Sequence, residues 1–265
     1  MRIITCNIRA STMGLDFGPR KWRNRKDYCL DTILGRSPDV ICVQECQREQ
    51  FTDFCARLGA EWGSFGMRLA PDGGPENTIF YRRAFARATD AGGYWLSQTP
   101  HIPGSKSWNS ECVRLANYVV LETAEGLLRV VNTHTDHASQ QAREEQSRLI
   151  NEDAAVWEKF MPQILTGDLN CDVNNPAMKL LFSAGWRDSY AEATGIADER
   201  FTAHDFLGEA WNGDLGVCGN GKMDWILLRG PLKTLSSRLV MDHRDDLYPS
   251  DHYFVTAELA PEQSK

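Results

Sequence analysis

PDVICVQE, residues 38–45, decides the architecture. Pro38 and Asp39 make a turn, Val40–Val43 follow without polar alternation, and Glu45 ends the run. A continuous apolar run of strand length is what a strand buried on both faces carries. Upstream, residues 20–35 place Trp22, Cys29, Leu30, Ile33 and Leu34 on one helical stripe, ended by Gly35 and Pro38. Downstream, a second helix is predicted over 47–59. A buried strand between helices points to an α/β chain, not an all-β one.

The same reading extends outward. Residues 2–8 form a short apolar strand, and further strands are predicted at 63–69, 77–82 and 85–90. Residues 97–112, SQTPHIPGSKSWNSEC, are a polar loop long enough to be functional. Residues 113–123 and 127–134 form a hairpin about Ala124-Glu125-Gly126. A helix covers 139–160, QILTGDLN (163–170) is a strand running into a loop, and 174–184 is helical. Residues 190–221 have no clear period and read as loop with room for a short strand. MDWILLRG (223–230), 233–241 and HYFVTAEL (252–259) supply the last strands. With no linker-like stretch and no repeat, one domain over residues 1–265 is expected, with a loose tail at the end.

Composition narrows the function. The 265 residues are 42% hydrophobic and 25% charged, which excludes disorder and low complexity. Apolar runs reach about four to six residues, against about twenty for a membrane helix, so no membrane association is expected. MRIITCNIRA at the N-terminus lacks a signal-peptide core. Eight cysteines with no C-x-x-C pair read as packing residues in a reduced, cytoplasmic chain, expected to be monomeric. A formal charge of −7 argues against passive, charge-driven nucleic-acid binding, though not against an enzyme that meets phosphates through a metal ion.

Polar residues collect where strands meet loops: Asn7, Glu45, His134, Asp168 with Asn170, Asp224, and Asp251-His252. Any one of them is ordinary as a turn or cap residue. Recurrence over six segments, with carboxylates and imidazoles dominating, is not. Carboxylate and amide oxygens with few thiolates suit Mg²⁺ or Mn²⁺ better than Zn²⁺.

TCNIR (5–9), VQE (43–45), NTHTDH (132–137), GDLN (167–170), MDWILL (223–228) and SDHYFV (250–255) together resemble the ordered motif set of the endonuclease/exonuclease/phosphatase superfamily, the deoxyribonuclease I-like hydrolases. The resemblance implies a four-layer sandwich, two face-to-face β-sheets flanked by helices, and divalent-metal-dependent hydrolysis of a phosphate ester. It makes Glu45 the principal metal ligand, with Asn7 and Asp251 near it. Asp168 and Asn170 match the pair that orients water and phosphate oxygens. His252 matches the catalytic histidine, oriented by Asp224. His134 matches a second histidine facing the phosphate, and Glu76, in PENTIFY (75–81), falls at the position of its carboxylate partner. The expected substrate is a phosphodiester, in nucleic acid or in a small molecule. The alternatives are a phosphomonoesterase acting on sugar or inositol phosphates and a non-catalytic interaction module on the same fold. Either His252 or Asp168 fits the role of base.

NTHTDH also invites comparison with the H-x-H-x-D-H zinc motif of metallo-β-lactamases. Asn132 replaces the first histidine, and residues 138–167 hold no further one, so a two-zinc site cannot be completed. In the polar loop, Trp108 and Asn109 are candidates to stack on and bind substrate, with Lys106 or Arg114 gripping a phosphate. Arg143 is read as a solvated helix residue, and the basic cluster Arg20, Lys21, Arg23, Arg25 and Lys26 mostly as an exposed helix face. Asp136 and His137 fall outside the core scheme, either as substrate-side or supporting groups or as a helix N-cap and its neighbour.

Overall fold

Val40–Gln44 is buried at every residue and forms β2. In a computed structural model, which describes all residues except 13, 15, 70–73, 158–160, 197–199, 213–215 and 263–265, this strand lies inside a six-stranded sheet. It pairs in parallel with β1 (Arg2–Asn7) and antiparallel with β4 (Ile79–Arg82). The alternation of its side chains explains the apolar run. Val40 and Cys42 face one core, and Ile41 and Val43 face another. A strand covered on both sides has no solvent face to make polar.

The first sheet has the order β11-β12-β1-β2-β4-β3, adding β3 (Trp62–Phe65), β11 (Leu232–Val240) and β12 (Phe254–Pro261). The second contains β5 (Ala86–Trp95), β6 (Leu115–Thr123), β7 (Gly126–His134), β8 (Gln163–Asp168), β9 (Arg187–Asp188) and β10 (Asp224–Arg229), in the order β5-β6-β7-β8-β10-β9. Ile3, Val40, Cys42 and Val255 from the first sheet interdigitate with Val119, Val130, Ile164 and Ile226 from the second. On the outer side of the first sheet lie α1 (Trp22–Leu34) and α2 (Arg48–Leu58), whose Trp22, Cys29, Ile33 and Phe54 meet Ile4, Ile41 and Phe80. Outside the second sheet, α3 (Gln140–Trp157) and α4 (Pro176–Ser183) bring Ile150, Ala154, Met178 and Leu181 against Val131, Leu165 and Trp225. The result is the expected four-layer sandwich.

Parallel pairing occurs at β1–β2 and β7–β8, each joined through a helix. Gly167 makes the second of these possible, because at φ +146 a Cβ there would run into the Thr133 carbonyl oxygen. Asn175 caps α4 by accepting from the Ala177 amide at 3.0 Å, with Pro176 at the first helical position.

Several local expectations change. β5 continues to Trp95 rather than stopping near residue 90. The 63–69 segment is a strand only to Phe65, and the end of the helix expected over 139–160 lies outside the described residues, as does the tail beyond 262. Among the described residues of 190–221 there are a short helix, α5 (Ser189–Thr194), two 3₁₀ turns, and a bridge from Ala203 to His252. Six of the cysteines are buried, but Cys55 and Cys112 are exposed. Arg25 is not on a solvated face. It is fully buried and donates to the carbonyls of Ile8, Arg9, Arg20 and Pro249, tying α1 to two loops. No helix among the described residues is long and apolar enough to cross a membrane.

Candidate active site

β1, β2, β7 and β8 all run toward one edge of the sandwich, delivering Asn7, Glu45, His134 and Asp168 there. β10 and β12 run the other way, so it is their starts that reach the same edge. Asp224 opens β10 directly opposite Asp168, and Asp251-His252 lies just ahead of β12. The side chains converge on a cleft of about 470 Å³ lined by Glu45, Glu76, Arg114, His134, Asp168, Asn170, Asp251 and His252. Asn7 and Asp224 stand immediately behind this lining. The Asn7 amide nitrogen donates to Glu45 Oε1 at 3.1 Å and to Asp168 Oδ2 at 3.0 Å, linking the two sheets. Asp224 Oδ2 lies 2.8 Å from His252 Nδ1.

The backbone is bent to make this possible. Arg9, Glu45, Asn77 and Asn170 all line the cleft and hold φ of +54°, +62°, +53° and +46°. Left-handed conformation is tolerable for asparagine but strained for Glu and Arg, and strain of this kind persists where surrounding contacts enforce it. Here the Ala10 amide donates to Glu45 Oε2 at 2.8 Å and the Arg9 amide to Asn7 Oδ1 at 3.0 Å. Beneath the cleft, Gln44 donates to Asn132 Oδ1 at 2.6 Å, and Asn132 donates to the carbonyls of Val43 and Thr78. The asparagine that breaks the zinc motif thus joins the two sheets.

Asp168 is the electrostatic centre. Its Oδ2 lies 3.4 Å from His134 Nε2 and 3.9 Å from His252 Nε2, while its Oδ1 accepts the Asn170 amide. Burial, and then the facing charge of Asp224, push its carboxyl up to about 6. Burial likewise raises Asp251, although Arg9 sits 3.1 Å from its Oδ2. Burial alone would lower His252, but the charge and hydrogen bond of Asp224, with Asp168, raise it well above the usual imidazole range. His134 goes the opposite way: burial and the positive charge of Arg114 lower it, which favours the neutral ring, and its buried Nδ1 has no hydrogen-bond partner among the described residues. Two imidazoles in one cleft are therefore shifted in opposite directions.

These donors fit a hard divalent cation. Asp168, Asp224 and His252 place ligand atoms within 4.8 Å of one another, but Asp224 holds His252 Nδ1, so that trio works better as an oriented imidazole. Glu45, Asn7 and Asp251 offer carboxylate and amide oxygens, and the charge of Glu45 contributes to the upward shift of Asp251. Such crowding is what a bound cation relieves.

Other sequence candidates part company with the site. Glu76 lines the cleft, but it does not hold His134. Gln47, at the start of α2, captures its Oε1 at 2.9 Å, and burial followed by repulsion from Glu45 lifts its carboxyl to about 7. Trp108 and Asn109 do not line the cleft. They form a left-handed turn with φ of +58° and +57°, and the Trp108 carbonyl accepts from Ser139. Lys106 reaches the Glu111 carbonyl instead of the cleft. Arg143 is fully buried, not solvated, and donates to the Asp136 carbonyl and to Gln140. Asp136 is a cap-like acceptor for the amides of Ala138 and Ser139, and His137 lines the cleft. Arg9 and Gln47 were overlooked in the sequence, although Arg9 closes the TCNIR motif.

The chain is similar to known proteins in family and in fold. The model of the endonuclease/exonuclease/phosphatase family matches residues 4–252. The chain belongs to this family. Members of the endonuclease/exonuclease/phosphatase family are generally hydrolases acting on phosphoesters and usually use a divalent metal. Among solved structures, an endonuclease/exonuclease/phosphatase from Bacteroides vulgatus is 26% identical, with a TM-score of 0.84 over 98% of each chain. A functionally unknown conserved protein from Enterococcus faecalis is 25% identical, with a TM-score of 0.83 over 99% of this chain and 100% of that one. A mannosyl-6-phosphatase from Bacteroides thetaiotaomicron is 23% identical, with a TM-score of 0.85 over 98% of this chain and 99% of that one. No curated protein matches the chain.

Proposed function

We propose that this chain is a phosphoester hydrolase that works with Mg²⁺ or Mn²⁺ on a small, polar phosphoester. The observation that carries the reading is the convergence of Asp168, His134 and the Asp224–His252 pair beside Glu45 and Asp251 in one cleft. Glu45, Asn7 and Asp251 would hold the cation, which supplies Lewis-acid charge neutralisation to the phosphoryl oxygens. Asp168 is placed to orient and deprotonate the attacking water, since its Oδ2 faces both imidazoles and its raised proton affinity suits a base. His252, kept protonated by Asp224, donates from Nε2 toward a phosphoryl oxygen, where negative charge accumulates. Neutral His134 donates from Nε2 on the other side of Asp168, and Asn170, fixed by its bond to the Thr135 carbonyl, completes the polar floor.

The walls of the cleft support a small, polar substrate. Apart from the imidazoles, no aromatic side chain among the described residues lines the cleft. The described lining therefore offers a nucleobase no Phe, Tyr or Trp ring to stack on. This favours a sugar-like or polyol phosphoester over nucleic acid, and the fold likeness to a mannosyl-6-phosphatase is consistent with it. A screen of sugar phosphates, inositol phosphates, small phosphodiesters, and single- and double-stranded nucleic acids, with Mg²⁺ or Mn²⁺, tests the proposal. Turnover of small phosphoesters is expected. Turnover confined to nucleic acid would overturn the substrate assignment, and none at all would overturn the hydrolase.

A further inference from the structure

Carboxylates dominate the cleft, and one of its two arginines is spoken for: Arg9 pairs with Asp251 at 3.1 Å and Asp16 at 3.4 Å. Arg114 pairs with no carboxylate among the described residues. Its Nη2 lies 3.3 Å from Nδ1 of His137, and its Nε is buried without a hydrogen-bond partner among the described residues. A guanidinium only donates, so His137 Nδ1 must accept. That contact leaves Nε2 of the ring to act as a second donor on the same wall of the cleft.

This pair is built, not incidental. Asp136 is buried, and its Oδ2 accepts the Ser110 hydroxyl at 2.7 Å and the amides of Glu111 and Cys112. Its Oδ1 accepts the amides of Ala138 and Ser139. One carboxylate thereby fixes both the segment leading into Arg114 and the turn carrying His137. Depth separates the pair from the reacting groups. His134, Asp168, Asp224 and Asp251 are buried at the floor, whereas Arg114 is partly exposed and His137 exposed. The charge of Arg114 also acts on the buried Glu76 carboxyl, but no ion pair holds the guanidinium among the described residues, so its fork stays open to an incoming anion.

We propose that Arg114 and His137 form a second anion subsite, so that the substrate carries, besides the phosphate that is hydrolysed, a second anionic group on the same small polar skeleton. This rests on the hydrolase reading of the floor of the cleft. Phosphate and carboxylate share the chemistry the subsite recognises, and matched substrates separate them.

The test compares, with Mg²⁺ present, a hexose monophosphate, the matching hexose bisphosphate, and a phosphorylated sugar acid. The doubly anionic esters are expected to be favoured roughly tenfold or more in kcat/KM, mainly through KM, as one charged hydrogen-bonded contact is worth. Whichever of the two is favoured more identifies the second group. Arg114→Gln should bring the ratio close to one, and Arg114→Lys, which keeps charge but not the fork, should retain part of it. A wild-type ratio near one, or a ratio unchanged in Arg114→Gln, overturns the proposal. A second readout needs no turnover: sulfate titrated into metal-free protein should shift the His137 ring resonances saturably in wild type but not in Arg114→Gln. Turnover without that response removes the subsite alone. The response without any turnover removes the hydrolase and leaves an anion site.

Discussion

His252 does its work through its neighbour. With Nδ1 held by Asp224 at 2.8 Å, its other nitrogen is aimed at the side of the cleft where Asp168 lies. Asp224→Asn should keep the fold and lower turnover by a factor on the order of 10²–10⁴, the usual worth of acid–base assistance. His252→Ala should cost at least as much and the double variant little more, because residues acting as a unit are not additive. Rates that multiply independently would count against the pair. Glu76 offers a test in pH. Its folded carboxyl titrates near 7, against an ordinary value of 4.5, so protonation favours the folded state. Its contribution to stability is complete below about pH 4.5 and is lost as pH rises through 7. In metal-free protein, Glu76→Gln should therefore gain on wild type across that window, by on the order of 2 kcal/mol. Denaturant unfolding at pH 5 and pH 8 measures it, and an equal difference at both values would contradict the assignment.

At the scale of elements, the segments that carry the site are held by buried polar anchors whose role a linear sequence conceals. Asp136 binds the 110–112 segment through Oδ2 and the start of α3 through Oδ1. Asp136→Asn keeps one acceptor but turns an amide NH₂ toward the Ser110, Glu111 and Cys112 donors. A loss of about 1–3 kcal/mol is expected, with faster hydrogen exchange concentrated in 110–112. Uniform loss of protection across α3 and β6 would show that the anchor is not local. Helices and strands were legible because hydrophobic period survives in sequence, as the Trp22–Ile33 stripe and the Val40–Val43 run show. Arg25 and Arg143 were not. A buried arginine looks the same in sequence as a solvated one, and what offsets its desolvation, carbonyls and amide oxygens among its partners, is assembled only by the fold.

For the whole molecule, strand direction converts scattered motifs into one site. Asn7, Glu45, His134 and Asp168 end strands that run one way, and Asp224 and His252 begin or precede strands that run the other. That convergence was readable, because each residue sat at a strand–loop junction. The walls were not. Whether Glu76 meets His134 or Gln47, and whether Trp108 reaches the cleft, depends on loop paths that no periodicity encodes. The account stands on the claim that this edge is a metal-dependent hydrolytic centre. Its most direct test is the rate of phosphoester hydrolysis by chelator-treated protein before and after Mg²⁺ or Mn²⁺ is restored, with Glu45→Gln measured alongside. The account predicts no turnover in excess EDTA, full recovery on adding the metal, and loss of turnover in a Glu45→Gln protein that remains folded. Undiminished hydrolysis in EDTA, or in Glu45→Gln, would contradict it.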